Sequence, residues 1–149
     1  MKIEIDQSGK IEQTSHTTAI GLSNDIQIAV TITGREKQKL LVHFRKINQR
    51  KVFMIVTFCV LIYITLKEVN TDKYEIYIDR EYNGYDKFVK SKIVDLFKEN
   101  SNKSINIHKL HIVSVGRDSN AHKVANFSAK NKLKTNIIKV TATDVLKLI

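Results

Sequence analysis

Two aspartates, Asp6 and Asp79, each end a short segment in which apolar and polar residues alternate. This period of two predicts β-strands over residues 2–6 and 74–79. Where two such strands lie side by side and run parallel, their carboxylates emerge at the same edge of the sheet. Two carboxylates held together repel each other, and a divalent cation relieves that repulsion. The pair therefore predicts a Mg²⁺ site, whereas either aspartate alone is more typical of a simple strand end.

The rest of the pattern predicts the elements that would position these aspartates. Two further strands, at 17–22 and 26–33, complete an antiparallel meander, after which helices and strands alternate. Helices are predicted over about 35–46, 51–68, 85–99 and 118–131, and a further strand over 109–115. Because crossovers between parallel strands are right-handed, the strand that ends at Asp79 is expected beside the one that ends at Asp6. We expect one α/β domain over residues 1–149, with a C-terminal extension from about residue 132 that carries a short strand at 137–140.

The charge of the chain is strongly basic and unevenly distributed. The net charge is +10, from 25 basic and 15 acidic residues. Residues 35–51 carry +6 and residues 117–149 carry +5, whereas the segments 1–33 and 67–100 are slightly acidic. Two basic blocks of this kind predict a polyanionic partner, either nucleic acid or an anionic membrane surface. A lysine-rich surface that serves only solubility is the alternative.

The apolar run at 52–66 raises the question of a membrane span. It holds 15 residues without a charge, and a spanning helix needs about 20. The run is also rich in β-branched residues, so we expect a helix buried in the core rather than a membrane anchor. No secretory signal opens the chain, and a cytoplasmic, intracellular location is expected.

Several common kinds of site are excluded by the sequence. The single cysteine, Cys59, excludes a disulfide framework and a CxxC zinc knuckle. Dinucleotide-binding and P-loop glycine motifs are absent, so no small-molecule cofactor is expected. The five histidines show neither HxxxH nor HExxH spacing, which argues against a zinc site.

Three short segments resemble the ribonuclease H family. Asp6-Gln7-Ser8-Gly9 resembles the Asp-Gly-Ser turn after the first strand of that family. Asp79-Arg80-Glu81-Tyr82 resembles its Asp-Ser-x-Tyr segment after the fourth strand, and Ala121-His122-Lys123-Val124-Ala125 resembles its Ala-Asp-x-x-Ala stretch on the last helix. The resemblance covers about residues 1–131 in element order. It implies a mixed five-stranded sheet, with strands 1–3 antiparallel, strands 4 and 5 parallel, and helices on both faces.

The resemblance also implies roles for individual residues. Asp6 and Asp79 would bind Mg²⁺ or Mn²⁺, with Glu36 as third ligand and Glu81 or Glu68 as substitutes. His122 would stand where the family often has a fourth carboxylate, and would bind a second ion or help product phosphate to leave. Contacts to the backbone of a nucleic-acid strand would come from five basic residues: Lys37, Lys39, Arg45, Arg50 and Lys51.

The implied activity is that of a metal-dependent nuclease. A metal-bound water would attack the scissile phosphorus of an RNA–DNA hybrid or a branched DNA, because the same fold serves resolvases. A non-catalytic nucleic-acid-binding or assembly protein on the same fold is the alternative from a different functional class. The oligomeric state is left open.

Overall fold

A computed structural model describes residues 1–23, 27–114, 120–129 and 136–149 of the chain. Its six strands are β1 (Lys2–Ser8), β2 (Thr18–Ser23), β3 (Gln27–Ile32), β4 (Glu75–Asp79), β5 (Leu110–Val113) and β6 (Ile137–Val140). Its α-helices are α1 (Gly34–Lys46), α2 (Phe53–Leu66), α3 (Asp86–Asn100), α4 (Asn120–Ala129) and α5 (Ala142–Leu146). Three parts of the sequence predictions fall outside the described residues: the turn at 24–25, the end of the fifth strand at 115 and the ends of the 118–131 helix.

The strands form one mixed sheet in the order β5-β4-β1-β2-β3-β6. The first three strands are antiparallel neighbours, and β4 joins the other side of β1 in parallel, followed by β5. The expected α/β class and the parallel pairing of the first and fourth strands are therefore confirmed.

The predicted number of five strands is wrong. Residues 137–140 form a sixth strand, β6, which pairs in parallel with β3 and extends the sheet rather than standing apart from it. This pairing supplies hydrogen-bond partners to the outer edge of β3, which would otherwise be exposed. The segment expected as a C-terminal extension of the domain therefore contributes a strand to the sheet.

Helices cover both faces of the sheet. On one face α4 packs across β1, β2 and β3, and on the other α2 packs on β2 and β3 and against α1, α3 and α5. Every residue of β2 is consequently buried. Because side chains of a strand alternate between faces, Asp6 and its partner Gly21 lie on the α4 face, whereas Ile5 and Ile20 lie on the α2 face.

Helix α2 has no polar side because it is enclosed by other elements. Every residue from Phe53 to Leu66 is buried except Met54, which is partly buried. The expectation of a core helix is thus confirmed. Among the described residues, no helix combines the length and the apolar character that crossing a membrane requires.

Candidate metal centre

The pairing of β1 with β4 brings the two predicted aspartates together. Ile5 is the register partner of Ile78, and the residue after each of them is an aspartate on the α4 face. Asp79 is the last residue of β4, as predicted, whereas β1 continues past Asp6 to Ser8. Asp6 is only 4% exposed, because α4 and the neighbouring strands enclose it.

Glu81 completes a cluster of three carboxylates. It follows β4 by two residues and is half-buried. One oxygen from each of Asp6, Asp79 and Glu81 lies within 4.8 Å of the other two. Three acidic groups from two adjacent strand ends therefore converge on one small volume at this edge of the sheet.

The fourth member of the site, His122, comes from α4. Its Nδ1 atom lies 2.7 Å from Oδ2 of Asp6, and the Asp6 Oδ1 atom accepts a hydrogen bond of 2.8 Å from the backbone N–H of Gln7. The two Asp6 oxygens are thus held by different partners, and the carboxylate is fixed in orientation. A histidine held by a carboxylate in this way is a common feature of metal sites.

The close packing of α4 on the sheet depends on Gly21. A Cβ atom at this position would lie 2.5 Å from the carbonyl oxygen of Ala121 and 2.5 Å from the backbone nitrogen of Ala125. Only glycine allows the helix backbone to approach β2 this closely. Since Gly21 is the register partner of Asp6, the approach also sets the distance between His122 and Asp6.

Crowding and burial change the acidity of the carboxylates. Burial is the largest cause that raises the pKa of Glu81 to about 8, and the hydrogen bond with Asp79 and repulsion from Asp79 add to it. Burial also raises the pKa of Asp6 above its usual range, an effect that its bond to His122 partly opposes. Without a cation, the cluster therefore retains a proton near neutral pH, which a bound cation would displace.

Glu36 does not join the cluster, and its expected role as third ligand is corrected. Its Oε1 atom accepts a hydrogen bond from the backbone N–H of Ala142 at the start of α5, and its Oε2 atom lies 2.8 Å from Nζ of Lys39. The contact with Lys39, and to a smaller extent the hydrogen bond from Ala142, holds the pKa of Glu36 below its usual value. Glu36 therefore links α1 to α5. Glu81 occupies the position of third carboxylate that was expected for Glu36. Glu68 follows α2 and precedes β4, so it is at the other end of that strand from Asp79.

The predicted nucleic-acid contact of Lys37 is wrong, because the residue is fully buried. Its Nζ atom donates to the backbone oxygens of Lys10 and Gln13, at 3.0 and 2.7 Å, and to Oγ1 of Thr18 at 2.9 Å. These three acceptors match the three N–H donors of an ammonium group. Lys37 therefore fixes the loop after β1 against α1 and β2.

The other predicted basic residues lie on the surface. Lys39, Arg45, Arg50 and Lys51 are all exposed, on α1 or on the short 3₁₀ turn Arg50–Val52 that precedes α2. Lys39 is paired with Glu36. The structure thus leaves four of the five expected residues available to a large anion.

Of the residues beside Glu81, the sequence interpretation missed Gln7, Lys10 and Glu12 as site residues, whereas Tyr82 was considered for stacking on a sugar or base. Gln7, Lys10, Glu12 and Tyr82 line a cavity of about 400 Å³ together with Glu81 and Met54. Gln7 and Tyr82 belong to the segments that resemble ribonuclease H, but neither position carries a group of obvious catalytic type. The sequence signal for Gln7 is the continuation of β1 beyond Asp6. Because side chains of a strand alternate, this continuation directs Gln7 to the opposite face from Asp6.

Comparison with known proteins adds no assignment: the chain matches no family model, and no curated protein or solved structure is significantly similar to it. The fold and the site together define an α/β protein with a carboxylate cluster at the ends of two parallel strands. Any more specific function must be argued from the chemistry of that cluster.

Proposed function

We propose that the protein is a metal-dependent nuclease that hydrolyses phosphodiester bonds in nucleic acid. One observation carries the proposal: oxygens of Asp6, Asp79 and Glu81 lie within 4.8 Å of one another, although burial and mutual repulsion disfavour three ionised groups there. Such an arrangement is costly in the absence of a cation and useful in its presence.

The donor set fits Mg²⁺ or Mn²⁺. All three cluster residues offer carboxylate oxygens, which are the ligands that these ions prefer, and no thiolate is near enough to favour a softer metal. A bound divalent ion would polarise the phosphate and lower the pKa of an attacking water. Asp6 and Asp79 would hold it from the sheet, and Glu81 from the segment after β4.

His122 is the residue suited to a proton or to a second ion. Because its Nδ1 atom is bonded to Asp6 Oδ2, a role of the imidazole in ligation or in proton transfer to the leaving oxygen would be coupled to that carboxylate. The Asp6 carboxylate fixes the imidazole plane, so the orientation of the histidine is set before the substrate binds. His122 and Asp6 therefore act as a unit in this proposal.

The arrangement of the elements supports a ribonuclease H-like assignment as part of the proposal. Three antiparallel strands are followed by two parallel ones, Asp6 lies on β1 and Asp79 ends β4, and the histidine is on the helix that crosses the first three strands. The sixth strand is an addition to the five-stranded pattern. With a net charge of +10, the substrate class that fits is a polyanion, either an RNA–DNA hybrid or a branched DNA.

Cleavage assays test the proposal. End-labelled RNA–DNA hybrid, a four-way DNA junction and a flapped duplex are incubated with protein in Mg²⁺, in Mn²⁺ and in EDTA. We expect metal-dependent cleavage of at least one substrate. The cleavage rate should be lower by a factor of about 10² or more in Asp79→Asn. Asp95→Asn, a change at an exposed acid on α3, is the matched control and should cleave normally.

The non-catalytic alternative makes the opposite expectation. It requires that the folded protein cleave none of these substrates in either metal, while salt-sensitive binding of nucleic acid survives Asp6→Asn. That combination would overturn the nuclease proposal and leave a binding or assembly protein.

A further inference from the structure

A groove leads away from the carboxylate cluster on the side of α1 and α2. Its first part is the cavity of about 400 Å³ that Gln7, Lys10, Glu81 and Tyr82 line. Its second part is a cavity of about 320 Å³ lined by Leu41, Arg50, Lys51 and Phe53. The two parts adjoin each other, since Glu12 and Met54 line both of them. Glu81 therefore stands at one end of a groove whose other end is basic.

Gln7, which lines the first part of this groove, carries an unsatisfied polar atom. The residue is only 7% exposed, and its Oε1 atom is buried without a hydrogen-bond partner among the described residues. Its Nε2 atom is 3.5 Å from the hydroxyl of Tyr82. Rotation of the amide by half a turn would only exchange the unpaired oxygen for an unpaired nitrogen. A buried amide left half-satisfied is costly, and a ligand with a polar edge would complete it.

The charges along the groove alternate in a way that suits a nucleotide chain. Lys10 lies near the cluster, and Arg50 and Lys51 lie at the far end, all three exposed. Glu12 lines both parts of the groove and would repel a phosphate placed beside it. Lys10 and the pair Arg50 and Lys51 therefore offer two positive positions for phosphates, and Leu41 and Met54 offer apolar surface for the uncharged part of a nucleoside.

We propose that this groove binds a single unpaired nucleic-acid strand that leads to the carboxylate cluster. Phosphates of the strand would contact Lys10 and the pair Arg50 and Lys51, and the polar edge of the intervening nucleoside would reach Gln7. Each part of the groove has the volume of a small-molecule pocket, a size that suits the nucleotides of one strand better than a base-paired duplex. The proposal rests on the proposed function in naming the substrate, which is a nucleic acid with an unpaired arm.

Binding measured in EDTA tests the groove separately from catalysis. Fluorescence anisotropy compares a labelled 12-nucleotide single strand with a blunt duplex of the same sequence, over a series of salt concentrations. We expect the single strand to bind about tenfold more tightly than the duplex. Arg50→Ala with Lys51→Ala should weaken single-strand binding about tenfold or more and reduce the salt dependence, because two phosphate contacts are lost.

Two comparisons sharpen the test. Lys87→Ala with Lys98→Ala removes the same charge from exposed positions on α3 and should change binding less than about twofold. Gln7→Leu removes the amide and keeps the charge, so it should weaken single-strand binding about fivefold with an unchanged salt dependence. The groove proposal would be overturned by equal affinity for single strand and duplex. It would also be overturned if the two double variants lost single-strand affinity equally.

The groove and the nuclease proposal fail differently. Groove-dependent strand binding in EDTA, together with absence of cleavage in Mn²⁺ on every substrate, would overturn the nuclease and support the groove. Metal-dependent cleavage with an unchanged KM in the Arg50 and Lys51 double variant would overturn the groove alone.

Discussion

The Nδ1 atom of His122 lies 2.7 Å from Oδ2 of Asp6, although 116 positions separate the two residues along the chain. The contact is made by two elements that pack face to face, since Asp6 is on β1 and His122 on α4. Its length depends on how closely α4 approaches the sheet, and Gly21 sets that approach. A residue with no reactive group therefore controls the geometry of the candidate site.

Gly21→Ala should damage both the fold and the site. The added methyl group would meet backbone atoms of Ala121 and Ala125, which cannot move aside as a side chain could. We expect a loss of about 1–3 kcal/mol in the free energy of unfolding, measured in urea. Metal-dependent cleavage should fall as well, because α4 carries His122. Adding Ala125→Gly should not restore either property, and full restoration would contradict the proposed backbone contact.

Divalent-cation binding should depend on pH through Glu81. Its pKa of about 8 means that a cation must displace a proton below that pH. We expect the affinity for Mn²⁺ to rise up to about 100-fold between pH 6 and pH 8, measured by isothermal titration calorimetry with proton release followed in two buffers. Glu81→Gln should bind more weakly and lose most of the rise, and a wild-type affinity independent of pH would contradict the role given to Glu81.

The same proton should affect stability in the absence of metal. Because the pKa of Glu81 is raised in the folded state from 4.5 to about 8, the folded chain binds the proton more tightly than the unfolded chain. The free energy of unfolding in EDTA should therefore fall as the pH rises from about 4.5 to about 8. In Glu81→Gln this fall should be smaller, and at pH 8 the variant should be more stable than the wild type by about 1–3 kcal/mol.

His122→Ala should separate catalysis from metal binding. The three carboxylates that would hold the ion remain, so the affinity for Mn²⁺ should change less than about threefold. Cleavage should fall by about 10–100-fold, because the group proposed to transfer a proton or to bind a second ion is lost. His108→Ala, at an exposed histidine before β5, is the control. Unchanged cleavage in His122→Ala would remove the histidine from the mechanism.

Lys37→Met should be destabilising even though it removes a buried charge. Methionine fills a similar volume but leaves two backbone oxygens and the Thr18 hydroxyl without the donor that now serves them. We expect a loss of about 2–4 kcal/mol at pH 7. Lys39→Met, which breaks only an exposed pair with Glu36, should cost less than about 1 kcal/mol. Similar costs in the two variants would contradict the structural role of Lys37.

The sheet pairing that brings Asp6 and Asp79 together could be predicted from the sequence. Alternation identified both strands, and the handedness of crossovers placed them side by side. The choice between Glu36 and Glu81 could not be made in the same way. Glu36 and Lys37 are consecutive on a helix, where one position changes the direction of a side chain by about 100°. Whether Glu36 faces the carboxylate cluster or another element therefore depends on how α1 packs against the rest of the domain.

The burial of Lys37 and the pairing of the strand at 137–140 with β3 were also beyond the sequence. A lysine in a basic block is usually solvated, and only the positions of Lys10 and Gln13 in space provide the acceptors that allow it to be buried. The four residues of β6 carry a weak strand signal, and their pairing with β3 is decided by tertiary structure. Long-range pairing of short strands is set by context rather than by local propensity.

The most direct measurement is anomalous diffraction at the manganese edge from crystals soaked in Mn²⁺ at pH 8. We expect a peak in contact with carboxylate oxygens of Asp6, Asp79 and Glu81, at about 2.0–2.3 Å from each. Crystals of Asp79→Asn soaked in the same way should lose it. A wild-type crystal without a peak among these three residues, or with manganese bound only elsewhere, would contradict the assignment of this cluster as the metal centre.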